Sequence, residues 1–242
     1  MSPRNVAVIT GATQRLGTAL ARRLAQSGVS LALVDGDAGA LARLERELAS
    51  NRIVVSTHVA DPADPGAAAD VATAALAVHG RVDQLYAAAR ADADRAFADL
   101  PAGEFDRVMA VVARTPIALV RALLPSLVAG GAGRVVVFAE RSGLDATGAG
   151  AVDAAAHYAL RGFASGLGNE LALSGRGSVH VVYATSTQPP DRVARAAIDA
   201  AASGRRRVIV GGAARALSWL DRAFPVAQSR LIGAAARLGV RA

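Results

Sequence analysis

Short runs of consecutive apolar residues, rich in Val, recur along the chain at 6–9, 31–34, 53–55, 82–86, 134–138, 179–183 and 208–210. Between them lie longer segments whose apolar positions repeat every three to four residues, at 16–26, 40–49, 67–79 and 105–127. A strand buried on both faces reads as a continuous apolar run, and a helix covering it carries one apolar stripe. The alternation therefore predicts βαβ units and a parallel sheet. Right-handed crossovers lead to a doubly wound α/β sheet of seven strands, in the order 3-2-1-4-5-6-7, with helices on both faces. No linker or solenoid repeat interrupts the pattern. Residues 1–242 are expected to form one domain, with 211–242 as a tail of two helices broken near Pro225.

Composition sharpens this picture. Hydrophobic residues make up 52% of the chain but aromatics only 4%, so the core must rest on small side chains and close backbone packing. There is no cysteine, which excludes disulfides and thiolate metal sites. The chain runs from its first residues into a strand, and its apolar stretches are broken by Gly, Arg or Asp before membrane-spanning length. A cytoplasmic protein is expected. The net charge of +7 belongs to the end of the chain, because arginines and acidic residues balance before Gly204. Every cationic residue is Arg; there is no Lys.

The first strand ends in Thr10-Gly11-Ala12-Thr13-Gln14-Arg15-Leu16-Gly17 and a helix comes next. A Gly-rich turn entering a helix offers backbone N–H groups to a pyrophosphate. Asp35, at the end of the second strand, is placed to hold ribose hydroxyls. This stretch is similar to the TGxxxGxG turn of short-chain dehydrogenases/reductases, a Rossmann-type family, and the resemblance extends over nearly the whole chain. Gly80-Arg81-Val82-Asp83 and Gly133-Arg134-Val135-Val136 are further landmarks. It implies a nicotinamide cofactor held by Gly11, Thr13, Arg15, Leu16, Gly17, Asp35, Val59 and Ala88. Arg15 replaces the middle glycine of the family turn and could pair with a phosphate. Asp35 favours NAD over NADP, and binding is expected to be weak or absent.

The family works with an Asn, a Ser, a Tyr and a Lys. Counting back from Glu170 in the long helix puts the Lys position at His157, the Tyr position at Asp153 and the Ser position at Glu140. The Asn position falls at Val112, and the family's NNAG segment reads Ala87-Ala88-Ala89-Arg90. The standard machinery is thus absent, and the substrate loop after the sixth strand is largely missing. Asp153 and His157 are i,i+4 neighbours on one helix face. With Glu140 opposite, two carboxyls and an imidazole would share a cleft able to do acid–base work. The bland alternative is an ion-pair cluster filling a disused cleft. No metal site is expected.

Three functions stay open at this point. One is a repurposed non-redox enzyme using Glu140, Asp153 and His157 for isomerisation, dehydration or cyclisation of a small molecule. Another is a catalytically silent NAD(P)-binding protein that acts as a regulator or partner subunit of an active homologue. The third is an oxidoreductase with an unorthodox proton donor. The basic, amphipathic tail suits packing on its own core or a sister subunit better than a membrane surface, and no nucleic-acid motif is present. Oligomers are expected through the outer faces of the fourth and fifth long helices, including Ala118, Leu119, Ala122, Leu160, Phe163 and Leu167.

Overall fold

The computed structural model describes residues 5–49, 52–93, 97–140, 150–184 and 187–211. The expected tail helices lie outside these residues. Seven parallel strands form one sheet in the order β3-β2-β1-β4-β5-β6-β7. They are β1 (Val6–Thr10), β2 (Ser30–Asp35), β3 (Val55–Val59), β4 (Gln84–Ala87), β5 (Arg134–Ala139), β6 (Ser178–Tyr183) and β7 (Arg207–Ile209). The sheet and its order are those expected from the pattern.

Helices α1 (Arg15–Gln26), α2 (Ala38–Leu48) and α7 (Pro190–Ser203) cover one face. Helices α3 (Ala67–His79), α5 (Thr115–Ala129) and α6 (Ala151–Ser174) cover the other. Asp37 starts α2 by accepting a hydrogen bond from Ala40 N at 2.8 Å, which satisfies one of the open N–H groups of the first turn. Gly80 ends α3 at φ 72°, a conformation that a side chain would oppose. Helix α4 (Glu104–Met109) runs into α5 through a π turn at Ala110–Arg114, and Val112 lies in that turn.

The continuous helical run Glu104–Ala129 contains an 18-residue window with a mean hydropathy of 1.6, long and apolar enough by composition to cross a membrane, although Arg114 and Arg121 interrupt it as the sequence pattern leads one to expect. Its apolar residues have another use. Val108 and Val112 pack under the loop after β4, while Leu119, Leu123 and Leu127 enter the sheet core.

Two expectations about surfaces and edges are corrected. Strand β3 starts at Val55 rather than 53, because its pairing with β2 runs from Leu31–Val55 to Asp35–Val59. The supposed outer faces of α5 and α6 are in part inner ones. Leu119, Leu160 and Leu167 are buried within the chain, and Ala118, Ala122 and Phe163 pack partly against the same core.

Candidate functional site

In a doubly wound sheet the strand order reverses beside β1, and ligands meet the carboxyl ends of the strands there. Two cavities open at these ends. The smaller, about 180 Å³, lies over β1, β2 and the start of α3, with Gly11, Asp35, Val71 and Leu119 in its wall. The larger, about 340 Å³, lies between the start of α1, the end of β5, α6 and α7.

The Gly-rich turn is built by backbone contact. A Cβ at Gly11 would stand 2.6 Å from Ala89 Cα, and φ there is +63°. A Cβ on Gly17 would run into the Gly11 carbonyl oxygen. Asp35 binds the turn from β2: its Oδ2 accepts from Thr13 N at 3.0 Å and its Oδ1 from Gly36 N at 2.8 Å. Arg15 is exposed and has no ion pair among the described residues; with Leu16 it lines the larger cavity. Val59 and Ala88 line neither of these cavities. Val59 ends the edge strand, 62% exposed, and Ala88 is buried with its N–H bonded to Tyr86 O at 3.1 Å. His58 lines neither cavity; its Nε2 meets Ser56 Oγ, which also meets His79.

Among the described residues only two side chains line both cavities, Gln14 and Arg90. Gln14 Oε1 accepts from Arg90 N at 3.0 Å, and Gln14 Nε2 donates to Arg90 O at 3.3 Å. The Arg90 guanidinium reaches into the larger cavity, where it pairs with Glu140 and with Asp92, the latter at 3.3 Å. Glu140 directly follows β5, with its side chain 25% exposed. Burial pushes its carboxyl above the usual range; Arg90 pulls it back, and Asp92 and Asp153 add to the rise.

His157 is 4% exposed, and among the described residues its Nδ1 has no hydrogen-bond partner. Burial, helped by Arg90, pushes its pKa down to about 4, against a smaller opposing effect of Asp92. The imidazole is therefore neutral at pH 7. His180 shows the contrast: it is wholly buried but satisfied, with Ser178 Oγ at 2.8 Å and Arg205 O at 2.8 Å.

The expected carboxyl–carboxyl–imidazole group comes together only in part. His157 and Glu140 share the larger cavity. Asp153 does not line it; its Oδ1 accepts from Ala93 N at 3.0 Å and fastens the loop after β4 to α6. Val112 is buried among Ala91, Ala93, Val108, Val152 and Ala156, an apolar cluster under that loop. None of the three tyrosines lines either cavity. Tyr86 is fully buried and bonded to Gln84, Tyr158 is exposed beside Arg161, and Tyr183 packs beneath Arg207. Among the described residues no group of His and acidic residues has the arrangement of a metal site.

Sequence reasoning missed Gln14. Its position inside the Gly-rich turn, facing a loop whose usual polar residues are replaced by alanines, was the available signal.

The family model described as short chain dehydrogenase matches residues 5–192. The chain belongs to that family. It is 28% identical to the putative oxidoreductase SadH of Mycobacterium tuberculosis over 268 aligned positions, covering 95% of this chain and 94% of the relative. It is 38% identical to dehydrogenase/reductase SDR family member 7B of Bos taurus over 57% of this chain, and spans only 44% of that relative. The subunit BbsC of (2S)-[(R)-hydroxy(phenyl)methyl]succinyl-CoA dehydrogenase from Thauera aromatica is 33% identical, over 70% of this chain and 68% of its own length. A Burkholderia phymatum short-chain dehydrogenase/reductase, solved in complex with NAD, shares the fold with a TM-score of 0.84 at 22% identity, covering 93% of this chain and 95% of its own. A metagenomic short-chain oxidoreductase in complex with NADP matches with a TM-score of 0.76 at 28% identity, over 85% and 96% of the two chains.

Proposed function

We propose that this chain is a redox-silent member of its family, which binds a nucleotide at the Asp35 end of its cleft and acts as a regulator or partner subunit of an active relative. The observation that carries this reading is the Arg90–Glu140 ion pair, set in the cavity where a reacting nicotinamide and its substrate would have to meet. Hydride transfer also needs a proton moved to or from the substrate oxygen. The chain has no Lys, its tyrosines lie elsewhere, and Val112 belongs to an apolar cluster. The likeness to a protein named as one subunit of a dehydrogenase supports the partner role.

Relatives with NAD and NADP bound support a nicotinamide nucleotide as the ligand class. Asp35 at the end of β2 favours NAD, since a ribose phosphate would meet its carboxylate.

The test is a panel of carbonyl and alcohol substrates with NAD(H) and NADP(H), run on protein shown to bind nucleotide by calorimetry. No turnover above background is expected. Robust turnover of any of these substrates by the wild type with either cofactor would overturn the reading.

A second reading, non-redox acid–base catalysis, is favoured by the Nδ1 of His157 at the larger cavity, which has no hydrogen-bond partner among the described residues. A neutral imidazole with its pKa near 4 is a weak base at pH 7, and Asp153 is committed to Ala93. This reading requires substrate conversion without NAD(P)(H) that His157→Gln abolishes and Asp153→Asn leaves in place.

A further inference from the structure

Among the described residues the two cavities meet only at Gln14 and Arg90, the two side chains they share. The partition is held at three points. Gln14 binds the Arg90 backbone through both ends of its amide. Glu140 and Asp92 hold the guanidinium. A ligand confined to the smaller cavity and the Gly-rich turn disturbs none of these contacts. A ligand that crosses from the smaller cavity into the larger must pass Gln14 and Arg90, and a crossing that draws the guanidinium off Glu140 leaves a partly buried carboxylate without its counter-charge, which is costly.

We infer that Arg90 selects a nucleoside diphosphate over a full dinucleotide, so that the cleft takes ADP at least as well as it takes NAD. This inference rests on the nucleotide-binding reading above. The base and ribose would lie in the smaller cavity beside Asp35, whose floor is apolar where Val71, Pro116 and Leu119 line it. The phosphates would track the turn at Gly11 to the first residue of α1. Arg15 stands there without an ion partner among the described residues, placed to meet the distal phosphate. A dinucleotide continues from this same phosphate into the larger cavity, and it is there that Arg90 closes the path. A polar group already waits beyond the partition, the buried Nδ1 of His157, but the Arg90–Glu140 pair stands in the same cavity.

The experiment is calorimetric titration of the full chain with ADP and with NAD⁺, on the wild type and on the double variant Arg90→Ala/Glu140→Ala, which removes both charges so that no carboxylate is stranded. In the wild type ADP is expected to bind as tightly as NAD⁺ or more tightly. In the double variant the ratio of NAD⁺ to ADP affinity should rise by about tenfold or more, the equivalent of about 1.4 kcal/mol. NAD⁺ binding the wild type measurably tighter than ADP would overturn the inference and leave the nucleotide-binding reading standing, as would an unchanged ratio in a folded double variant. Absence of binding by either nucleotide would end both. If the double variant fails to fold, NADH fluorescence on the wild type decides. Bound NADH should show unperturbed nicotinamide emission and be displaced by ADP; an enhanced, blue-shifted emission would place the nicotinamide inside the protein and overturn the inference.

Discussion

Gln14, in the turn after the first strand, and Arg90, in the loop after the fourth, are joined like a short piece of sheet: one side-chain amide substitutes for a neighbouring backbone and pairs with both the N–H and the C=O of a residue 76 positions away. The arrangement fixes where the Arg90 side chain begins, and Glu140 fixes where it ends.

Gln14→Ala removes both hydrogen bonds at a partly buried position. At about 0.5–1.5 kcal/mol each, the loss of stability should be about 1–3 kcal/mol, measured by urea denaturation. Because the Arg90 backbone is then untethered, the preference for ADP over NAD⁺ should weaken in the same variant. Unchanged stability would show that the clamp is not formed in solution.

Two glycine substitutions should act in opposite directions. Gly17→Ala drives a methyl group into the Gly11–Ala12 backbone, with no flexible side-chain atom to yield. A loss of about 3 kcal/mol or more is expected, together with loss of nucleotide binding. Gly162→Ala, inside α6, meets nothing within 4 Å. It should stabilise by about 0.5–1 kcal/mol through helix propensity. Thermal melts of the pair check both signs.

Acid should unfold this protein through its imidazoles. Burial lowers the pKa of His58, His79, His157 and His180, so the unfolded chain accepts protons that the folded chain refuses. Their neutral forms contribute full stability above pH about 6.5, and that contribution is lost as the pH falls, at His157 down to about 4. From pH 7.5 to 5, His157 alone should account for about 2 kcal/mol. Urea midpoints at the two pH values measure the loss, and His157→Gln should reduce it. An equal loss in the variant would refute the assignment.

The sheet was legible because strands covered on both faces leave continuous apolar runs. The edge strand β3 has one open side, so its polar residues Ser56 and His58 hid most of its length. The faces of α5 and α6 were misjudged for a related reason. In helices this rich in Ala and Gly, apolar residues surround the axis, and periodicity alone does not say that Leu119, Leu160 and Leu167 face inward. Counting from Glu170 placed Glu140 and His157 in the cleft, because helix and strand registers carry over between folded relatives. It could not place Asp153, whose partner is a backbone N–H of a loop. Nor could it find the Gln14–Arg90 clamp, in which one partner is main chain and leaves no mark in residue type.

The π turn at Ala110–Arg114 gives the chain one place where it can change length. Val108 before the turn and Leu119, Leu123 and Leu127 after it all serve cores, so both halves of this helix must keep their facing. Deleting a residue between 120 and 127 would swing the remainder of the helix by about 100° and carry Leu127 out of the sheet core. Within the π turn the same deletion only tightens a loop of backbone that is one residue too wide for an α-helix, and both halves stay where they are. Within the turn itself the room to give lies at the exposed Arg114, since Val112 is held in the apolar cluster under the loop.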